Sequence, residues 1–159
     1  MNSVNISQSE AERLISLEKH AIKPSNDNPI NLPERGGAIS LKLESADKKE
    51  EFSFDIRRGS IDLGKFTNQT RTRRSIILVR LDIGGAPHRN PDDQEIPKNH
   101  IHLYKEGYGD KWAYPIPADK FPNINDFWLT IHDFMKYCNI IQTPYFNRQL
   151  LLPNLGIKL

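Results

Sequence analysis

Ile39-Ser40-Leu41-Lys42-Leu43-Glu44 and Phe52-Ser53-Phe54-Asp55-Ile56-Arg57 decide the fold class of this chain. In both stretches apolar and polar side chains alternate, the period-two pattern of a strand with one buried face and one wet face. Ala46-Asp47-Lys48-Lys49 is a polar turn between them, so residues 38–58 predict a β-hairpin. Towards the C-terminus, Gly59-Ser60 is a second turn. A third strand is predicted to start at Ile61-Asp62-Leu63 and run through Thr67, Gln69 and Arg71, because Thr-rich alternation suits a pleated surface. Ser75 to Ile83 is nearly all apolar, as in a central strand buried on both faces, with Arg80 and Asp82 interrupting one face. Gly84-Gly85 and Pro87 end it, and a loop follows to about Lys98. His100 to Tyr104 is the fifth predicted strand and Trp112 to Ile116 the sixth.

A helix stands at each end of this run. Ser7-Gln8-Ser9-Glu10 has the form of a capping box, and Ala11, Leu14, Ile15 and Leu17 supply an apolar stripe through about His20. Pro24 to Gly37 reads as a loop or linker with no packed element of its own. The last helix is predicted over roughly 124–140, capped by Asn125 or Asn123, with Phe127, Ile131, Phe134 and Cys138 on one face. After Pro144 the tail to Leu159 is apolar but irregular, with Leu150-Leu151-Leu152 either packed on the body or used to form a homodimer. The expected architecture is α+β: one domain over 1–159, an antiparallel sheet of about five or six strands flanked by an N-terminal and a C-terminal helix.

Composition narrows the function classes. The 159 residues are 37% hydrophobic and 26% charged, an ordinary globular balance for one domain. No apolar run approaches the ~18 residues of a membrane helix, so no membrane partner is expected. Met1-Asn2-Ser3-Val4-Asn5 lacks the features of a signal peptide, and Cys138 is the single cysteine, which points to a cytoplasmic protein without disulfides. A net charge of +2 does not by itself mark a nucleic-acid binder.

The chemistry concentrates in residues 80–112. Alternation puts His100, His102 and Tyr104 on one face of the fifth strand, with the two imidazoles roughly 7 Å apart from ~3.3 Å per residue. His88 and Arg89 sit in the loop before it, and Lys105 follows it. If the fourth and fifth strands pair, Arg80 and Asp82 come near the histidines. Two chemistries use such a set. In metal-free RNA cleavage, one imidazole takes the 2′-hydroxyl proton and another protonates the leaving oxygen, while Arg80, Arg89 or Lys105 holds the phosphate. In a metal site, His100, His102 and His88 are the three nitrogen ligands of a catalytic zinc. The bland alternative is a set of hydrogen-bonding surface histidines.

Other features are less specific. Between Arg57 and Arg74 six basic residues face one acidic residue, Asp62. Arg71 and Arg73 are expected on one face with Gln69, as a phosphate-tracking stripe or a charged, solvated edge. In Glu106-Gly107-Tyr108-Gly109-Asp110-Lys111-Trp112, Tyr108 and Trp112 either stack on an unpaired base or pack a tight turn. His20 and His132 read as helix-surface residues and Cys138 as core. No Walker loop, dinucleotide fingerprint, nucleophile elbow or His-Glu-x-x-His occurs.

These motifs resemble a family of uncharacterised bacterial and prophage proteins, a domain of unknown function. The likeness lies in Leu14-Ile15-Ser16-Leu17-Glu18-Lys19, Asn68-Gln69-Thr70-Arg71, Val79-Arg80-Leu81-Asp82 and Pro87-His88-Arg89-Asn90-Pro91-Asp92. It continues through His100-Ile101-His102-Leu103-Tyr104, Glu106 to Ala113, and Phe134 to Ile140. Asp93 stands where that family commonly has a glycine, and Lys98-Asn99 where a proline usually precedes the first histidine. The resemblance implies no activity. A looser similarity is to TumE-like toxins of toxin–antitoxin pairs, at Arg80, Asp82, His88, His100 and His102.

The leading expectation is thus a nucleic-acid-acting, toxin-like protein, most concretely a metal-independent endoribonuclease with no cofactor. His100, His102, His88 and Arg80 would be catalytic; Arg89, Asp82, Tyr104, Lys105, Arg71, Arg73 and Trp112 would bind. Its partner would be RNA. The alternative is a non-catalytic phage or mobile-element protein that binds a protein partner, an antitoxin or a host defence complex.

Overall fold

In the computed structural model, which describes residues 5–23, 26, 28–62 and 64–147, helix α1 (Gln8–Ser16) precedes strand β1 (Lys19–Ala21). Strands β2 (Ala38–Ser45), β3 (Glu51–Arg58), β4 (Phe66–Thr72) and β5 (Ile76–Ile83) then follow as a meander. The short ribbon β6 (His88–Arg89) and β7 (Glu95–Ile96) leads to β8 (His100–Leu103) and β9 (Ala113–Pro115). Helix α2 (Phe127–Tyr137) and strand β10 (Ile140–Gln142) complete the described chain. The main sheet has the order β10-β1-β2-β3-β4-β5-β8-β9 and is antiparallel except where β1 runs parallel to β10.

The predicted hairpin is β2–β3, in register from Ala38 opposite Arg57 to Glu44 opposite Glu51. Its apolar positions Leu43, Phe52, Phe54 and Ile56 are buried with Ala11 and Leu14 of α1 and Ile131, Phe134 and Met135 of α2. The Phe54 and Phe134 rings stack at 5.7 Å. Both helices therefore cover the apolar face of the sheet, and the alternate residues of β2–β5 and β8 make up the opposite, polar face.

The sheet is larger than the five or six strands expected, because β1 and β10 hold only three residues each and show no alternation. Ser7 does cap α1, its hydroxyl accepting from the Glu10 N–H. The helix stops at Ser16, however, and His20, expected on its surface, lies in β1. Lys19 explains the early stop. Its ammonium is fully buried and donates to the carbonyls of Ile15, Leu17 and Cys138, at 2.8, 2.9 and 2.8 Å. It thus satisfies carbonyls left free as α1 ends and joins them to the end of α2.

Four further expectations change. The third strand begins at Phe66, not at Ile61, which is 94% exposed; Leu63 lies outside the described residues. Asp62 instead makes a side-chain turn, its carboxylate accepting from the Gly64 N–H. Strand β5 is central but only one face is wholly buried, since Arg80 and Asp82 point to the half-open polar face. Asp126, rather than Asn125 or Asn123, caps α2 through the Leu129 N–H. The 24–37 segment is not free of packing: Ile30 bridges Phe146 and Leu32 is in the core. Phe146 of the tail is buried there too, whereas Leu150-Leu151-Leu152 lie outside the described residues.

Candidate functional site

Antiparallel register builds the site. Opposite residues run across the polar face in two rows: Ser40, Asp55, Gln69, Arg80 and His102, and beside them Arg57, Thr67, Asp82 and His100. The expected proximity of Arg80 and Asp82 to the two histidines is met, with Arg80 opposite His102 and Asp82 opposite His100.

At the β8 end the two rows close into a cluster. Asp82 Oδ2 lies 3.3 Å from His100 Nε2 and 3.2 Å from His102 Nε2. The Arg80 guanidinium reaches His102 Nε2 at 2.9 Å, Asp82 Oδ2 at 3.3 Å and Asp110 Oδ2 at 2.7 Å. Each imidazole is tied behind by a backbone carbonyl, Pro97 O at 2.7 Å from His100 Nδ1 and Asp110 O at 2.8 Å from His102 Nδ1. A carbonyl only accepts, so both Nδ1 atoms carry hydrogen and both Nε2 atoms turn to the carboxylate. The ring centroids are 4.9 Å apart, closer than the strand spacing suggested.

His88 completes a three-ring cluster of edge-on and tilted imidazoles, 4.7 Å from His102 and 5.8 Å from His100, and its Nε2 is held by the Lys111 carbonyl at 2.7 Å. The β6–β7 ribbon that bears it is fastened by Asn90, whose amide exchanges two hydrogen bonds with the Ala113 backbone. In the turn after Asn90, Asp93 has φ +69°, the left-handed conformation that glycine adopts freely. Under this cover His100 is 3% and His102 1% exposed.

Charge in the cluster follows from these contacts. Burial pushes the Asp82 carboxyl up, but hydrogen bonds from His100 and His102 and the Arg80 charge outweigh it and hold the group well below the usual carboxylate range. Burial disfavours the His100 imidazolium, yet the Asp82 carboxylate and the Pro97 carbonyl raise its pKa above the ordinary histidine value. The donor atoms of Asp82, His100 and His102 all lie within 4.8 Å of one another, a group of one carboxylate oxygen and two imidazole nitrogens. His88 is not in that set.

From Asp82 the polar face opens into a groove of about 680 Å³ along β2–β5, lined by Arg57, Lys65, Thr67, Gln69, Arg71 and Arg80 among others. Arg71 is paired with Asp55, which also accepts from Ser40 and Gln69. Burial acts to raise the Asp55 pKa, and those donors hold it below its usual value. Among the described residues Arg57 and Lys65 have no ion-pair partner.

Several expected site residues lie elsewhere. Tyr104 faces the core, and its hydroxyl bonds both the N–H and the carbonyl of Ile6 at 2.9 Å. Arg73 sits past the end of β4 at φ +49° and pairs with Glu10 of α1, so it does not share a face with Arg71. Arg89 is spent within the ribbon on the Asp93 carbonyl and Glu95. The Lys105 ammonium lies over Trp112 at 4.4 Å and Tyr108 meets the same ring edge-on, which leaves the self-packed turn rather than an open stacking platform. Asp55, Ser40 and Asp110 were not anticipated. The first two occupy polar positions of the hairpin, but only the register shows that they continue the Arg80 row.

Comparison with known families places the chain in a family of unknown function, DUF6978, which matches residues 6–140. The match covers most of the chain, so the protein belongs to that family, in agreement with the resemblance read from its motifs. No curated protein and no solved structure matches the chain. Nothing found supports the similarity to TumE-like toxins. No described helix is long and apolar enough to cross a membrane.

Proposed function

We propose that the protein acts on RNA, binding a single strand along the polar face of its sheet through the phosphates. The groove from Arg57 and Lys65 to Arg80 is the observation that carries this reading. Arg57 and Lys65 offer charge that no carboxylate among the described residues neutralises, while Arg71 and Arg80 are held in fixed orientations by Asp55 and by Asp82 and Asp110. The five strands from β2 to β8 span ~19 Å at ~4.8 Å per strand, room for several consecutive phosphates. Ser40, Thr67 and Gln69 add hydrogen-bonding groups of the kind that recognise a ribose 2′-hydroxyl or a base edge. The lining named above is free of aromatic rings, so backbone charge rather than base stacking supplies the affinity.

The geometry favours binding over cleavage. Acid–base cleavage asks for two imidazole nitrogens on opposite sides of a phosphate. Here both Nε2 atoms turn to one carboxylate oxygen and both rings are buried. The Asp82 carboxylate, held ionised, is a weak proton acceptor.

The test uses labelled RNA with the purified protein, with and without chelator, beside Arg57→Ala,Lys65→Ala and His100→Ala,His102→Ala double variants. Retention of intact RNA that weakens in the Arg57→Ala,Lys65→Ala protein is the expected result. No binding, or equal binding by that variant, overturns the reading. Cleavage that survives chelator but not loss of the histidines would replace it with a metal-independent endoribonuclease. Recovery of a stoichiometric protein partner without RNA would move the protein to the partner-binding class.

A further inference from the structure

We propose that Asp82 Oδ2, His100 Nε2 and His102 Nε2 form a binding site for one divalent transition-metal ion, with its remaining coordination positions turned to the groove. Three observations converge. The donor atoms are gathered within 4.8 Å of one another, and the two oxygen–nitrogen separations are 3.2 and 3.3 Å. An ion bound ~2.0–2.2 Å from each ligand at angles near 90–110° separates its donors by about 3–3.5 Å, and the carboxylate oxygen already stands at that separation from each imidazole nitrogen. Next, each histidine is oriented by a carbonyl behind it, Pro97 O on one Nδ1 and Asp110 O on the other. That outer bond fixes the Nδ1 hydrogen and the ring orientation, so that an entering ion displaces only the proton shared between Nε2 and Asp82, and this is how ligand histidines are commonly fixed. Finally, the histidines are buried while Asp82 remains 21% exposed on the groove side, which gives an ion one path of entry and one open direction.

Two imidazoles and one carboxylate suit Zn²⁺, Fe²⁺ or Mn²⁺ better than the oxygen-seeking Ca²⁺ or Mg²⁺. The ligand set differs from a three-histidine site, because His88 spends its Nε2 on the Lys111 carbonyl and serves as a cover. Arg80 is the competitor. Its guanidinium now supplies the positive charge at His102 Nε2 and Asp82 Oδ2, and it has a second anchor in Asp110 at 2.7 Å. An entering ion takes over the first two contacts, and Arg80 keeps the third. This site does not depend on the RNA reading, since it is defined by metal binding alone.

The experiment is calorimetric titration of the metal-stripped full chain with Zn²⁺, with Co²⁺ absorption spectra as a second readout of the ligands. One equivalent is expected to bind, with affinity lowered at least about 100-fold in Asp82→Asn and in His102→Ala, and changed only a few-fold in His88→Ala. Arg80→Gln is expected to bind more tightly than the parent, because it removes a competing cation without removing a ligand. Circular dichroism of each variant reports whether it folds, and Arg80→Gln keeps the test decisive if a ligand variant does not. Absence of stoichiometric binding in both the parent and Arg80→Gln would overturn the proposal, as would unchanged binding in folded Asp82→Asn and His102→Ala.

Discussion

If the polar face holds RNA by its phosphates, the salt dependence of binding is set by how many cations on that face are free to neutralise them. Arg57 and Lys65 are free among the described residues, whereas Arg71 and Arg80 are engaged with carboxylates. Each neutralised phosphate of a single strand contributes about −0.7 to the slope of log K against log salt, so the two free cations give about −1.4 and all four about −2.8. The Arg57→Ala,Lys65→Ala variant is therefore expected to have a slope shallower by about 1.4. Between about 50 and about 200 mM salt, the advantage of the parent protein over the variant shrinks roughly sevenfold, the fourfold salt change raised to that exponent. Fluorescence anisotropy of a labelled single-stranded RNA over that range measures both slopes. Parallel lines for parent and variant would refute the reasoning even if the variant bound more weakly, because a uniform loss signals a distorted face rather than two lost phosphate contacts.

Three further outcomes follow from the scaffold. Asn90→Ala leaves the Ala113 N–H and carbonyl without their partner, and urea unfolding is expected to show a loss of roughly 2–6 kcal/mol, at about 1–3 kcal/mol per unsatisfied buried group. Burial pushes Lys19 down from 10.5 to about 8, so the unfolded chain holds more protons between those values and this residue's contribution to stability rises with pH across that window. Measured as the stability difference between parent and Lys19→Met, the rise is expected to approach about 3 kcal/mol by the upper end, at 1.36 kcal/mol per pH unit, and a flat difference would contradict it. Cys138 is buried and its thiol is pushed up to about 12, so a thiol reagent at neutral pH should modify the chain no faster than the chain unfolds.

The strand pattern was legible because burial on one face imposes alternation. Ile39 to Arg57 declares its own hairpin, and His-x-His within an apolar strand declares two imidazoles on one side. The short strands β1 and β10 escaped because three residues are too few to show a period, and because Lys19 in a helical pattern gives no hint that its ammonium closes the end of that helix from a buried position. Tyr104 shows the limit of alternation itself. Strand β8 ends at Leu103, the backbone turns, and the next side chain goes to the core to anchor Ile6. Arg73 departs from Arg71 in the same way, one residue beyond the end of β4.

Local sequence thus determined the elements, the amphipathic faces and the concentration of histidines near Arg80 and Asp82, all of which depend on neighbours a few residues apart. Only the tertiary structure decided that Ser40, Asp55, Gln69 and Arg80 form one row, that Asp110 anchors Arg80, and that two buried imidazoles share one carboxylate oxygen. Those relations join residues up to forty positions apart through strand register and through a ribbon folded over the sheet edge. The side-chain period leaves register undetermined by any even slip. Pairing across the whole sheet settles it, because each inner strand of the main sheet must match two neighbours at once.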